Sequence, residues 1–109
     1  MYRDFNGFNE VVVCESIFNC LTVVSVGIPS VALNGTGTDS QIEELQNLNC
    51  RSLVLALDPD DAGDRGIKRI SNRLSGNKIL YKLPYKDGRD INDIGGEEFK
   101  SLYNSKIFV

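Results

Sequence analysis

Apolar and polar residues fall into blocks along this chain, and one block dominates. Leu53-Val54-Leu55-Ala56-Leu57 is an unbroken apolar run that stops at Asp58-Pro59-Asp60-Asp61. A strand with one wet face would alternate, so a continuous run predicts a strand covered on both sides, as in a parallel sheet between helices. Three other stretches read as strands. Glu10-Val11-Val12-Val13-Cys14 is β-branched and ends on Glu15, Ile28 to Leu33 carries Pro29 near its start, and Lys78 to Leu83 follows Gly76-Asn77. Proline cannot donate to a ladder, which suits the second strand to an edge.

Helical periods fill the gaps. Ser16 is placed to cap a helix with Ile17, Leu21 and Val24 along one face, ended by Gly27. The turn Asn34-Gly35-Thr36-Gly37-Thr38 leads to a helix over about 40–48. There Ser40 and Glu43 have capping-box spacing, and Ile42, Leu45 and Leu48 supply the buried stripe. A helix over about 62–75 turns Ile67, Ile70 and Leu74 inward and Arg65, Lys68, Arg69 and Arg73 outward. Residues 84–90 form a loop, and a closing helix over 96–104 uses Phe99, Leu102 and Tyr103. The order β-α-β-α-β-α-β-α predicts an α/β fold with a four-stranded parallel sheet, order 2-1-3-4, flanked by helices. That order sets Glu15 and Asp58 at the carboxyl ends of adjacent strands, about 5 Å apart laterally. Open α/β sheets bind ligands in that crevice.

Composition narrows the chemistry. At 109 residues the chain predicts one domain with a modest core. It contains no histidine and three cysteines without C-x-x-C spacing, which excludes zinc-finger, haem and histidine-based catalytic readings. A metal would have to bind through oxygen, which points to magnesium, manganese or calcium. The net charge of −3 offers no overall attraction to nucleic acid or an anionic membrane. No signal peptide or membrane-length apolar run is visible, and a reducing, cytoplasmic setting is expected.

The acids have a plain alternative reading, in which an aspartate in a solvated turn caps the next helix. Asp61 and Asp64 fit that role as first-turn helix acids. The outward basic face of residues 65–73 fits a solvated helix better than a nucleic-acid contact. For Asp58 and Asp60 the neighbouring Glu15 raises the functional reading, because acids so close repel unless a divalent cation sits among them.

The constellation resembles the Toprim domain of DNA primases, topoisomerases, recombination proteins and some nucleases. The matching features are a strand ending in Glu15, a Gly-Thr turn, and a strand ending Asp58-x-Asp60-x-Ala62-Gly63. The bacterial-type primase branch is the most similar. Val31-Ala32-Leu33-Asn34-Gly35-Thr36-Gly37-Thr38 resembles its ALLGTALT-like stretch, and Leu83-Pro84 with Gly88-Arg89-Asp90 resembles its Leu-Pro…Gly-Lys-Asp loop. The likeness covers about residues 9–103 of a single domain over 1–109. It implies a Rossmann-like Toprim fold belonging to a larger primase-like protein. Ser16, Asn19 and Pro59 depart from the family's usual Gly, Asp and Gly.

What the resemblance implies is a magnesium or manganese site on Glu15, Asp58 and Asp60, the catalytic acids, with Asp90 completing the rim. Gly35, Thr36, Lys86 and Arg89 would hold nucleotide or nucleic-acid phosphate. The implied activity is nucleotidyl transfer in RNA primer synthesis during DNA replication. Nucleotides, DNA template, RNA primer, the other primase subdomains and a helicase would be the partners. A Toprim-type nuclease or RNA-processing domain is the alternative reading. A receiver-like signalling module phosphorylated on Asp58 is the alternative of another class; it lacks the usual acid pair and fifth strand.

Overall fold

The computed structural model describes residues 9–34, 38–85 and 88–109. Its elements run β1 (Glu10–Cys14), α1 (Ile17–Ser25), β2 (Ser30–Ala32), α2 (Asp39–Gln46), β3 (Ser52–Leu55), α3 (Asp61–Leu74), β4 (Ile79–Lys82), α4 (Ile91–Asn104) and β5 (Ile107–Phe108). The sheet order is β2-β1-β3-β4-β5. The expected 2-1-3-4 arrangement is present with all four strands parallel.

A fifth strand corrects the expected four. β5 pairs antiparallel with β4, Tyr81 opposite Phe108 and Lys82 opposite Ile107. Two residues are too few to make a period, so pattern alone could not show it. It is held by the Tyr81–Phe108 ring stack, with centroids 5.0 Å apart, and by the bond from Val109 N–H to the Leu80 carbonyl.

The strands explain the two-layer core. Alternate residues of β1 and β3 point to opposite faces. Val11, Val13, Leu53 and Leu55 join Ile42 and Leu45 of α2 and Ile70 and Leu74 of α3. Val12, Cys14 and Val54 join Cys20 and Val23 of α1 and Phe99 and Leu102 of α4 on the other side. Every residue from Leu53 to Leu57 is fully buried, as the unbroken apolar run requires.

Three local expectations change. In α1 the inward residues are Asn19, Cys20 and Val23, while Ile17, Leu21 and Val24 are exposed. The helix carries no charge, so its sequence holds two apolar stripes and nothing polar enough to fix the phase. The α2 capping box is Thr38 with Gln41, rather than Ser40 with Glu43: Gln41 N–H donates to Thr38 Oγ1 and Thr38 N–H to Gln41 Oε1. Gln41 also donates to the Leu33 carbonyl, which ties the helix start to the end of β2. Finally, α4 begins at Ile91, with Gly95 at φ 80° breaking its helical geometry. The expected helix over 96–104 is the part after that break.

At the amino end of the sheet, Glu10 gathers three partners. Its carboxylate accepts from Ser52 Oγ at 3.0 Å and from the Tyr103 hydroxyl, and Lys106 Nζ lies 3.5 Å away. This network closes the end of the molecule opposite the acid crevice.

Candidate functional site

Register places the acids. Val13 pairs with Leu55, so two residues further on Glu15 is level with Leu57, beside Asp58. Glu15 Oε1 accepts a hydrogen bond from the Asp58 backbone N–H at 3.1 Å. The glutamate thus clamps the turn on which the aspartates ride. Asp60 caps α3, its Oδ1 accepting from Gly63 N–H at 2.7 Å. Asp90 caps α4 and forms a reciprocal box with Asp93. The helix-cap alternative is therefore correct for Asp60 as far as it goes. Asp90, expected only as a rim acid, caps a helix as well, and each cap leaves its second carboxylate oxygen uncommitted among the described residues.

Asn19 links the parts. This buried side chain donates from Nδ2 to Asp58 Oδ1 at 3.1 Å and accepts at Oδ1 from Asn92 N–H at 3.0 Å. One amide joins α1, the β3 turn and the first turn of α4. An aspartate here could not donate to Asp58, so the departure from the family pattern has a structural use. The signal in the sequence was its departure from the family's usual Asp, since the expected inward face was Ile17, Leu21 and Val24.

Gly63 is fixed by proximity. A Cβ added to it would lie 1.9 Å from the Asp58 carbonyl oxygen, which no side chain can occupy. The α3 amino end therefore packs directly against the aspartate turn.

Electrostatics show how crowded the crevice is. Burial raises the pKa of Glu15, with Asp58 and Asp60 adding to the rise and the Asp58 N–H opposing it. Burial raises that of Asp58 as well, followed by the fields of Asp90 and Asp60, with the Asn19 amide opposing. Cys14, beneath the site, is pushed by burial up to about 12 and stays a thiol. Tyr85 was not singled out from the sequence. It lines a cavity of about 470 Å³ beside Asp58 and Pro59, and its pKa is raised first by burial and then by Cys14, Asp58, Asp90 and Glu15.

Arg89 donates to Glu98 Oε2 at 3.1 Å, with both side chains about half exposed. Gly35, Thr36 and Lys86 lie outside the described residues. On the basic face of α3, Arg73 pairs with Asp39 of α2 at 3.1 Å.

Among the described residues the crevice offers carboxylate oxygens as ligand atoms, which fits a hard cation. Among the described residues no group of three or more histidine, cysteine, aspartate or glutamate side chains converges to cage one. Magnesium does not need a cage, since it keeps several waters and meets a protein through one or two carboxylates. Glu15 and Asp58 each use one oxygen on a local donor, and among the described residues the other accepts nothing. The donor set fits such a hydrated ion.

The backbone has relatives of known structure. The zinc-binding and RNA polymerase domains of the Aquifex aeolicus primase superpose with a TM-score of 0.76 and 27% identity, over 93% of this chain and 27% of that one. The chain thus spans about a quarter of the primase chain it matches. A small TOPRIM domain protein from Bacillus stearothermophilus has the same fold at a TM-score of 0.58 and 19% identity, over 94% of this chain and 90% of that one. No curated protein matches the chain in sequence. The family model described as Toprim-like matches residues 12–94, and the chain belongs to that family.

Proposed function

We propose that this Toprim domain is the cation-holding half of a primase-type nucleotidyl-transfer site. The observation that carries the reading is the Glu15 clamp on the Asp58 turn, which makes two strand-end acids one unit beside Asp60. The similarity to a primase at 27% identity over 93% of this chain supports it. Glu15 and Asp58 would hold magnesium or manganese, with Asp60 and Asp90 anchoring its waters. A bound divalent ion would supply charge stabilisation to the attacking and leaving oxygens of an in-line displacement. The chain's own residues hold the carboxylates apart and orient them: Asn19 fixes Asp58, and Gly63 fixes Asp60.

In this reading, Gly35, Thr36, Lys86 and Arg89 face nucleotide or nucleic-acid phosphate. Template, primer, a helicase and the remaining polymerase subdomains are partners of a longer protein. Such a protein works in the cytoplasm; no helix among the described residues is long and apolar enough to cross a membrane. The test is thermal denaturation with and without magnesium. A ligand at ten times its Kd stabilises the native state by roughly 1.4 kcal/mol, which for this size is several degrees. The rise should vanish in Asp58→Asn with Asp60→Asn, where asparagine keeps the α3 cap at 60 and an oxygen to accept from Asn19 at 58. An equal rise in the double variant would exclude these ligands.

One observation favours a second reading, a Toprim nuclease or RNA-processing domain. The raised pKa of Glu15 suits a group that exchanges a proton. Membership of the Toprim-like family sets the receiver-like alternative aside.

A further inference from the structure

Two tyrosine hydroxyls lie at opposite ends of the sheet, that of Tyr103 partly buried and that of Tyr85 fully, with opposite circumstances. That of Tyr103 donates to Glu10 in the closed network at the amino end. That of Tyr85 has no solvent exposure and no hydrogen-bond partner among the described residues. A buried hydroxyl without a partner costs about 1–3 kcal/mol, so it asks for an explanation. Phenylalanine would pack the same ring without that cost.

The position supplies one. Tyr85 follows Leu83-Pro84, and its backbone N–H donates to the Leu83 carbonyl at 3.0 Å in a tight turn. The ring packs on the α1/α4 side of the core with Cys14, while the residue also lines the cavity that opens at Asp58. The groups that act on its hydroxyl are Cys14, Asp58, Asp90 and Glu15, three of them carboxylates of the rim. Burial keeps the phenol protonated, so it remains both a donor and an acceptor at any working pH.

We propose that Tyr85 is a positioning residue of the acid crevice, its closed-off hydroxyl turning out to meet an oxygen that enters when the crevice is occupied, either a water or a phosphate oxygen. Occupancy of the crevice then completes the hydrogen bond. The inference rests on the cation-holding reading above and adds to it a residue that no ligand pattern includes. It also gives the two tyrosines opposite signatures, since only the unpartnered hydroxyl should trade stability for binding.

The experiment compares Tyr85→Phe and Tyr103→Phe with the parent chain. It measures melting temperature without metal, manganese affinity by water-proton relaxation, and manganese affinity again with inorganic pyrophosphate. Tyr85→Phe should melt at or above the parent temperature without metal, yet bind manganese about five-fold more weakly, the worth of one net hydrogen bond. Weakening with manganese alone identifies a water as the partner, and weakening only with pyrophosphate identifies a phosphate oxygen. Tyr103→Phe should melt lower and bind manganese as the parent does. Unchanged manganese affinity in Tyr85→Phe under both conditions would overturn the inference and leave the metal site standing. So would a lower metal-free melting temperature, which would mean the hydroxyl is already satisfied. Absence of manganese binding in the parent chain would remove the cation-holding reading and this inference together.

Discussion

Gly63 and Asp58 touch through their backbones: a methyl group on Gly63 would stand 1.9 Å from the Asp58 carbonyl oxygen. Helix α3 and the turn after β3 are therefore one rigid piece. Gly63→Ala must push them apart, at about 3 kcal/mol if it behaves as severe overpacking does. Chemical denaturation should show that loss. Because Asp60 caps the same helix end through Gly63 N–H, metal affinity should fall with it. A variant within 0.5 kcal/mol of the parent, on the scale of a neutral surface change, would contradict the geometry.

The Asn19 amide gives the second prediction. Asn19→Asp keeps the acceptor for Asn92 N–H but replaces the donor to Asp58 with a second carboxylate. Like charges at that distance should cost about 1–3 kcal/mol without metal. Magnesium should recover part of it, so the variant's thermal shift with magnesium should exceed the parent's. A shift equal to the parent's would show that the bridge does not feel the bound charge.

Raised carboxylate pKa values fix the sign of a pH effect. Glu15 and Asp58 hold protons more tightly folded than unfolded. Their contribution is greatest below the ordinary carboxylate range and is lost as pH rises through the raised values. Without divalent ions, Glu15→Gln with Asp58→Asn should therefore gain stability over the parent at neutral pH, and the gap should close on acidification. Both substitutions keep an oxygen to accept the local N–H. A gap independent of pH would show that the acids are not strained by one another.

Glu15→Gln alone separates the two functional readings. If Glu15 holds the cation, calorimetric titration with manganese should show weaker binding. Retained affinity with lost phosphodiester cleavage would favour the nuclease reading.

Much of the architecture was legible because its cause was local. The run Leu53 to Leu57 reads as a strand buried on both faces; Ser52–Leu55 is that strand, with Ala56 and Leu57 buried beyond its end, and the parallel order puts Glu15 beside Asp58. The phase of α1 was not legible, because Ile17-Phe18-Asn19-Cys20-Leu21 has no charge to mark the wet side. Its inward face is chosen by what Asn19 can reach on Asp58 and α4, which is a tertiary matter. Tyr85 was missed for a similar reason: an aromatic in a polar loop carries no period, and its burial depends on Cys14 and the α1/α4 layer arriving from elsewhere in the chain. The α2 start slipped by two residues because Thr38 and Ser40 are equally good caps, and Gln41 reaching Leu33 decides between them.

The two-residue β5 has a consequence for solubility. An uncovered parallel strand offers a row of unpaired N–H and C=O groups, a template on which another chain can add. At the far side of the sheet that hazard is limited by the brevity of β2 and by Pro29 just before it. On the near side the task falls to Ile107 and Phe108, which occupy the outer edge of β4 while exposing their own apolar side chains. Removing residues 105–109 would bare Leu80 to Lys82 as a ready docking strip. Such a truncated domain should scatter light and bind thioflavin at concentrations where the parent stays clear.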